Sequence, residues 1–366
     1  GSMMVWMAIT TVTSYDPLVS LKFMTSRAWF IVSFFFFLGH IMLHKPEFRE
    51  RMVMLLLFPL CIVVVYTVIR HAGYDFSKHA GHWMMKPFFK DHTSYGAVLA
   101  MMLPPAIALL SKKDRPTLSR LLIGIATVII AIGLILSFTR AAWVSLAGVG
   151  VLFIAMRIGI KLKTLASIGA VVVVVLLVNF DTLMIDLQRN KQDSSDNLTQ
   201  HVKSISNISS DDSNLERLNR WSCAVSLFQE RPITGWGPGT YQFVYAPFQK
   251  SDLKTTISTN NADGGNAHSE YLGPLAEQGV MGGVLVLLLI WWASIVGFRL
   301  WNNLKNKEER NLAVSIYLGL MTYFIHGVLN NYLDTDKASA PFWGFLALLV
   351  VLDIESRNKT LPKATA

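Results

Sequence analysis

The 366-residue chain is 52% hydrophobic and only 16% charged, where an average soluble domain carries about 25% charged residues. Apolar runs of about 20 residues, the length that crosses a bilayer, take the place of the missing charge and exclude a soluble globular protein. The formal net charge of +9 sits in the loops between those runs, as in cytoplasmic loops of membrane proteins, so no nucleic-acid partner is expected.

Gly1, Ser2 and Met3 read as a tag remnant and are left out of fold reasoning. Met4 to Thr13 is too short for a signal peptide and lacks its basic start. It reads as the end of a helix that begins ahead of this sequence. Nine spans are then predicted, at about 27–43, 52–69, 93–111, 121–138, 141–156, 164–180, 271–297, 312–333 and 341–354. The segment "HAGHWMMKPFFKDHTSYG" is amphipathic; it either lies along the membrane surface or shapes an entrance for a lipid. Cys61, in an apolar run, and Cys223, in a polar region, imply no disulfide framework.

Loop charge sets the orientation. The loops around 45–51, 112–120, 157–163, 299–310 and 357–363 carry about twice as many lysines and arginines as the others, so that side is expected to be cytoplasmic. The insertion Asp181 to Glu270 then faces outward. Its first third, "RNKQDSSDNLTQHVKSISNISSDDSN", is polar, poor in aromatics and expected to be mobile. "SNLERLNRWSCAVSLFQE" follows as an amphipathic helix, with Ser213 and Glu216 in a capping-box pattern. Leu215, Leu218, Trp221, Val225 and Phe228 form its expected apolar stripe, with Arg217 and Arg220 beside it. The expected fold class is therefore all-α. It is a polytopic membrane bundle with N-terminal membrane helices over 1–180 and an outward loop domain with amphipathic helices over 181–270. C-terminal membrane helices over 271–354 and a cytoplasmic tail over 355–366 complete it.

Several residues can carry chemistry. Arg140, in "SFTRAAW", stands between two apolar spans where a charge is costly. It is either a snorkelling interfacial arginine or an anion-binding one, since the guanidinium fork makes paired bonds to phosphate and never deprotonates. Arg217 and Arg220 are either solvated or ligands. His268, ahead of the run that starts at Tyr271, is either structural or a general base, because a neutral imidazole accepts a proton near neutral pH. Glu270 and Glu277 either orient that imidazole or cap the helix, and the cap is the favoured reading. "GWGPG", 235–239, lacks the Lys-Ser/Thr of a phosphate loop and reads as a turn. "DTD", 334–336, is a helix-end turn or a site for a hard cation. His326 is read as packing against a neighbouring helix. A transporter of anionic lipids would explain interfacial arginines, but it places ionisable groups near the midplane and pairs broken helices.

The order of "FTR", "RLNRW", "ERPITGWGPGTYQF" and "NAHSEYLGPLAEQGVMGG" resembles the O-antigen ligase family, whose superfamily includes the Wzy-type polymerases. The likeness runs from about Phe88 to Gly283. Its members are bacterial inner-membrane proteins with about a dozen helices and one large periplasmic loop, so further helices are expected ahead of this sequence. The resemblance implies an inverting, metal-independent and cofactor-free glycosyl transfer at the periplasmic face. Its donor would be a polyprenyl-pyrophosphate-linked glycan, and its acceptor the lipid A core or, for a polymerase, another polyprenyl-linked glycan. It makes His268 the essential histidine and gives Arg140 and Arg217 the pyrophosphate. Arg220 is a neighbouring substrate contact without a firm family counterpart. Lys22 is similar in placement to an early lysine of the family.

Overall fold

The computed structural model describes residues 1–112, 114–179, 212–255, 258 and 265–360, and every regular element among them is helical. In chain order the long helices are α1 (Ser2–Val12), α2 (Pro17–His44), α3 (Phe48–Ala72), α4 (His92–Leu110), α5 (Thr117–Leu136) and α6 (Arg140–Arg157). They continue as α7 (Leu162–Val178), α8 (Asp212–Glu230), α9 (Leu272–Asn303), α10 (Lys307–His326) and α11 (Asp336–Thr360). Seven of these described helices are long and apolar enough to cross a membrane: α2 to α6, α9 and α11. The protein is a multi-pass membrane protein. The predicted spans at 164–180 and 312–333 are helices, α7 and α10, but fall outside those seven. The helix predicted to start at 27 begins ten residues earlier and takes in Lys22; it is π-helical over Ile31–Phe37. The polar stretch expected to be mobile, 189–214, lies outside the described residues up to 211. The end of the tail, 361–366, does so as well.

The chain divides into two compact units. One comprises 27–158, 290–326 and 332–366. Its centre is α4, packed against α5, α6 and α10, while α10 also meets α6 and α11. Without a hydrophobic drive between helices in lipid, close approach depends on small residues. Gly319 of α10 lies against the Met101 backbone, where a Cβ would come within 2.6 Å of the carbonyl oxygen. Gly297 of α9 lies against Tyr317 in the same way, at 2.5 Å.

Ion pairs join the loop ends of this unit. Arg49 and Glu355 meet through two parallel 2.6 Å bonds, the bidentate geometry that suits a guanidinium. Glu50 accepts from Arg115 at 2.7 Å and Lys112 at 2.9 Å, and Asp353 from Arg299 and Arg357. The segments around 45–51, 112–120 and 299–310 are thus tied to one another through these pairs and the end of α11. At the other end, Arg27 meets Asp334 at 2.6 Å, Thr93 bonds Tyr332, and Thr139 donates to the His92 carbonyl at 2.8 Å. His326 closes α10 rather than standing mid-span; it is 1% exposed and packs against the Tyr332 ring.

The other unit comprises 1–26, 159–289 and 327–331. Its core is small: Cys223, Ala224 and Leu227 of α8 pack on Tyr241, Tyr245, Ala267 and Ala276, with Trp236 and Leu272 at the margin. The face of α8 that is buried differs from the predicted stripe. Glu216, Leu218, Asn219, Arg220, Cys223, Ala224 and Leu227 are buried, while Val225 is 40% exposed and Leu215, Trp221 and Phe228 are half-buried. The rotation has a physical cause, because the buried face satisfies its polar groups internally. Arg220 pairs with Glu216 at 2.6 Å, and the Asn219 side-chain oxygen Oδ1 accepts from the Lys250 N–H at 3.0 Å. Such pairing lowers the cost of burying the face, although Arg220 Nη1 is buried without a hydrogen-bond partner.

Candidate active site

The segment that carries His268 is built from short-range turn chemistry. The Asn266 side-chain oxygen accepts the His268 N–H at 3.0 Å, and His268 itself takes φ +47°, a conformation few non-glycine residues adopt. Ser269 then caps α9, its hydroxyl accepting the N–H groups of Tyr271 and Leu272 at 3.2 and 3.3 Å. The cap is therefore Ser269 and not Glu270, whose own N–H goes to the Gly327 carbonyl at 2.8 Å. From α8, the Trp221 indole N–H reaches the His268 carbonyl at 3.3 Å. Backbone on both sides of the half-buried imidazole is thereby fixed. Burial, helped by the charge of Glu270, pushes the Tyr271 phenol well above its usual value, so it stays protonated and is no base at neutral pH.

Eleven residues beyond His268, α9 breaks. Gly279 has φ +66° and ψ −165°, which interrupts the helix ladder. The orphaned carbonyls of the preceding turn need donors, and three groups from distant sequence supply them. Trp236 N–H bonds Ala276 at 3.1 Å, Gly237 N–H bonds Glu277 at 2.7 Å, and the Trp6 indole bonds Gln278 at 2.8 Å. Val280, on the far side, donates to Pro232 at 2.9 Å instead of up its own helix. "GWGPG" is a turn, as its sequence suggests, and its purpose is to satisfy this break. Gly235, at φ +66°, lies so close to Glu277 that a Cβ would come within 2.3 Å of that backbone. The Glu277 carboxylate accepts the Tyr241 N–H at 3.0 Å, so this acid caps the short helix Tyr241–Val244. Ser14 and Ser20 bond the carbonyls of Trp236 and Pro238, which anchors the start of the chain to the same turn.

The sequence-predicted residues divide between the units. Arg217, His268, Arg220 and Lys22 belong to the unit just described, Arg140 to the other. Arg217 is half-buried one helical turn before Trp221, so the two share a face of α8, the face that holds His268. Arg220, expected to reach substrate, is 5% exposed and committed to Glu216 and to the face of Tyr245, 4.1 Å from the ring centre. Both Glu216 oxygens are taken, one by Arg220 and one by Ser258, while the Ser213 half of the expected capping box lies outside the described side chains. Lys22 is exposed on α2, next to Phe23, which packs on Gly239.

Arg140 is half-buried and the first residue of α6, whose Thr139 makes no side-chain cap. A cation at the positive end of a helix is unfavourable by itself, and the pair of charges suits an anion. The turn before it is fixed through Thr139, which donates to His92 and packs on Gly96. Asp334 of "DTD" is engaged by Arg27, and Thr335 N–H closes a turn on Tyr332. No three His, Cys, Asp or Glu side chains converge as ion ligands among the described residues. Sequence reasoning left Asn266, Ser269 and Gly279 without a role and read Trp221 as part of an apolar stripe. Asn266 and Ser269 carry a local turn-and-cap signature. The break at Gly279 has no local signal beyond the glycine itself.

Residues 125–287 match the Wzy_C family, described as O-antigen ligase. No curated protein matches the chain.

Proposed function

We propose, from the premise that residues 125–287 carry an O-antigen ligase domain of the Wzy_C family, that the protein is a membrane glycosyltransferase. It moves a glycan from a polyprenyl-pyrophosphate carrier to the lipid A core, at the periplasmic face of a bacterial inner membrane. The observation that supports the reading is the bond from the Trp221 indole to the His268 carbonyl, which ties the face of α8 that carries Arg217 to the backbone of the histidine.

In this reaction the acceptor hydroxyl oxygen attacks the anomeric carbon from the face opposite the carrier. His268 takes the hydroxyl proton, the bond from the anomeric carbon to the phosphate oxygen breaks, and its electron pair leaves with the pyrophosphate. Arg217 and Arg140 stabilise the charge that develops on that leaving group, which removes the need for a nucleotide or metal. Inversion at the anomeric carbon follows from the single displacement.

The break at Gly279 does not favour a transporter. Unwound backbone that coordinates ions must have free carbonyls, and Ala276, Glu277 and Gln278 are all bonded to protein donors. The polymerase reading shares the donor and differs in the acceptor. The test supplies the purified chain with polyprenyl-linked glycan and, in separate reactions, lipid A core or a second polyprenyl-linked glycan, with and without EDTA. Product on the lipid A core in EDTA supports the ligase. Product only on the polyprenyl acceptor makes the protein a polymerase, and loss in EDTA restored by magnesium gives "DTD" a metal role.

A further inference from the structure

Arg220 meets Gly265, three residues ahead of His268, and through Glu216 it is linked to Ser258. Its Nε donates to Glu216 at 2.6 Å, and the other oxygen of that carboxylate accepts from Ser258. The opposite edge of the guanidinium meets Gly265, where a Cβ would fall 1.7 Å from Nη1 and 2.8 Å from the Tyr245 ring. The guanidinium lies over the Tyr245 ring, Gly265 sits against the edge of both, and Tyr241 donates to the Arg220 carbonyl at 2.7 Å to fix α8 beneath them. Only glycine leaves room at 265. Three residues further on stands His268, in its unusual backbone conformation.

We propose that Arg220 is a positioning residue for His268. The Glu216–Arg220 pair holds the backbone at Gly265 and so sets the geometry of 265–268. In this role Arg220 acts on the backbone of the site and not on the substrate itself. The assignment rests on the reading of His268 as the base, and it differs from that reading in acting through the backbone of 265–268. An ion pair buried to this degree adds little stability for its cost, whereas removing one partner strands the other. Its value here is geometric, because an error of about 1 Å in a reacting group costs on the order of 10²-fold in rate.

The experiment uses the full chain in detergent, with Arg220→Met, Glu216→Gln and the double variant Glu216→Gln/Arg220→Met. Hydrogen exchange over 265–272, thermal unfolding, donor binding and kcat are measured on each. The double variant strands no charge and is expected to recover most of the unfolding temperature lost by Arg220→Met. It should nevertheless exchange faster over 265–272, bind donor as before and keep a kcat about 10-fold or more below wild type. Recovery of kcat together with stability would make the pair merely structural and overturn the proposal, as would unchanged exchange over 265–272. Failure of the base reading looks different: His268→Ala would transfer at full rate, while the exchange data still judge the clamp.

Discussion

Trp221 and His268 are joined by one 3.3 Å hydrogen bond, from an indole N–H on α8 to a main-chain carbonyl 47 residues later. Trp221→Phe keeps most of the ring and removes the donor. The net contribution of such a bond is about 0.5–1.5 kcal/mol, so the protein stays folded. Transfer is expected to fall several-fold, with donor affinity unchanged. Unchanged turnover would show that the tether does not serve the histidine.

Gly279 is the second position where a single atom decides the outcome. A Cβ there would lie 2.1 Å from the Ile233 carbonyl oxygen, in a conformation that only glycine adopts readily. Gly279→Ala should therefore lower the yield of folded protein and its unfolding temperature. Gly150, inside α6, has nothing within 4 Å of its Cβ position, so Gly150→Ala is the control and should be neutral or slightly stabilising. Equal behaviour of the two variants would contradict the account of the break.

These cases show what the sequence could and could not reveal. Apolar runs and caps located most helices, because span length and end chemistry are local properties. Hydrophobic periodicity misplaced the buried face of α8, since Glu216, Asn219 and Arg220 look exposed until their partners at Ser258, Lys250 and Tyr245 are known. The break in α9 was illegible for a similar reason: its donors, Trp6, Trp236 and Gly237, come from distant sequence. Arg217 and His268 were assigned through motif order, which gave no sign of the bond that joins their surroundings.

Asp91 gives α4 a pH-dependent cap. Burial acts to raise its carboxyl, but hydrogen bonds from the Ser94 N–H and the Thr93 hydroxyl, with the charge of His92, hold it below the ordinary 3.8. A depressed carboxyl stabilises the fold above its unfolded value, and that contribution is lost as pH falls through the folded one. The unfolding temperature of the native chain should then drop more steeply from pH 5 to pH 3, roughly the window of this titration, than that of Asp91→Asn. Parallel curves would show that the cap does not titrate with folding.

Orientation is open to a labelling test, for which the native cysteines give a clean background. Cys61 and Cys223 are buried, and burial pushes the Cys223 thiol up to about 11. Both Lys250 and Lys305 are exposed. In intact spheroplasts a membrane-impermeant thiol reagent should label Lys250→Cys and spare Lys305→Cys until lysis. The reverse pattern would invert the membrane orientation and remove the periplasmic mechanism.

The most direct measurement is single-turnover glycan transfer by folded His268→Ala, with donor binding and thermal stability recorded on the same preparation. Arg217→Lys and Arg140→Lys run beside it, each keeping the charge but losing the fork that grips pyrophosphate. The account predicts that His268→Ala binds donor normally and transfers about 10²–10⁴-fold more slowly, while both lysine variants lose rate together with donor affinity. A folded His268→Ala protein that binds donor and transfers glycan at the wild-type rate would contradict it.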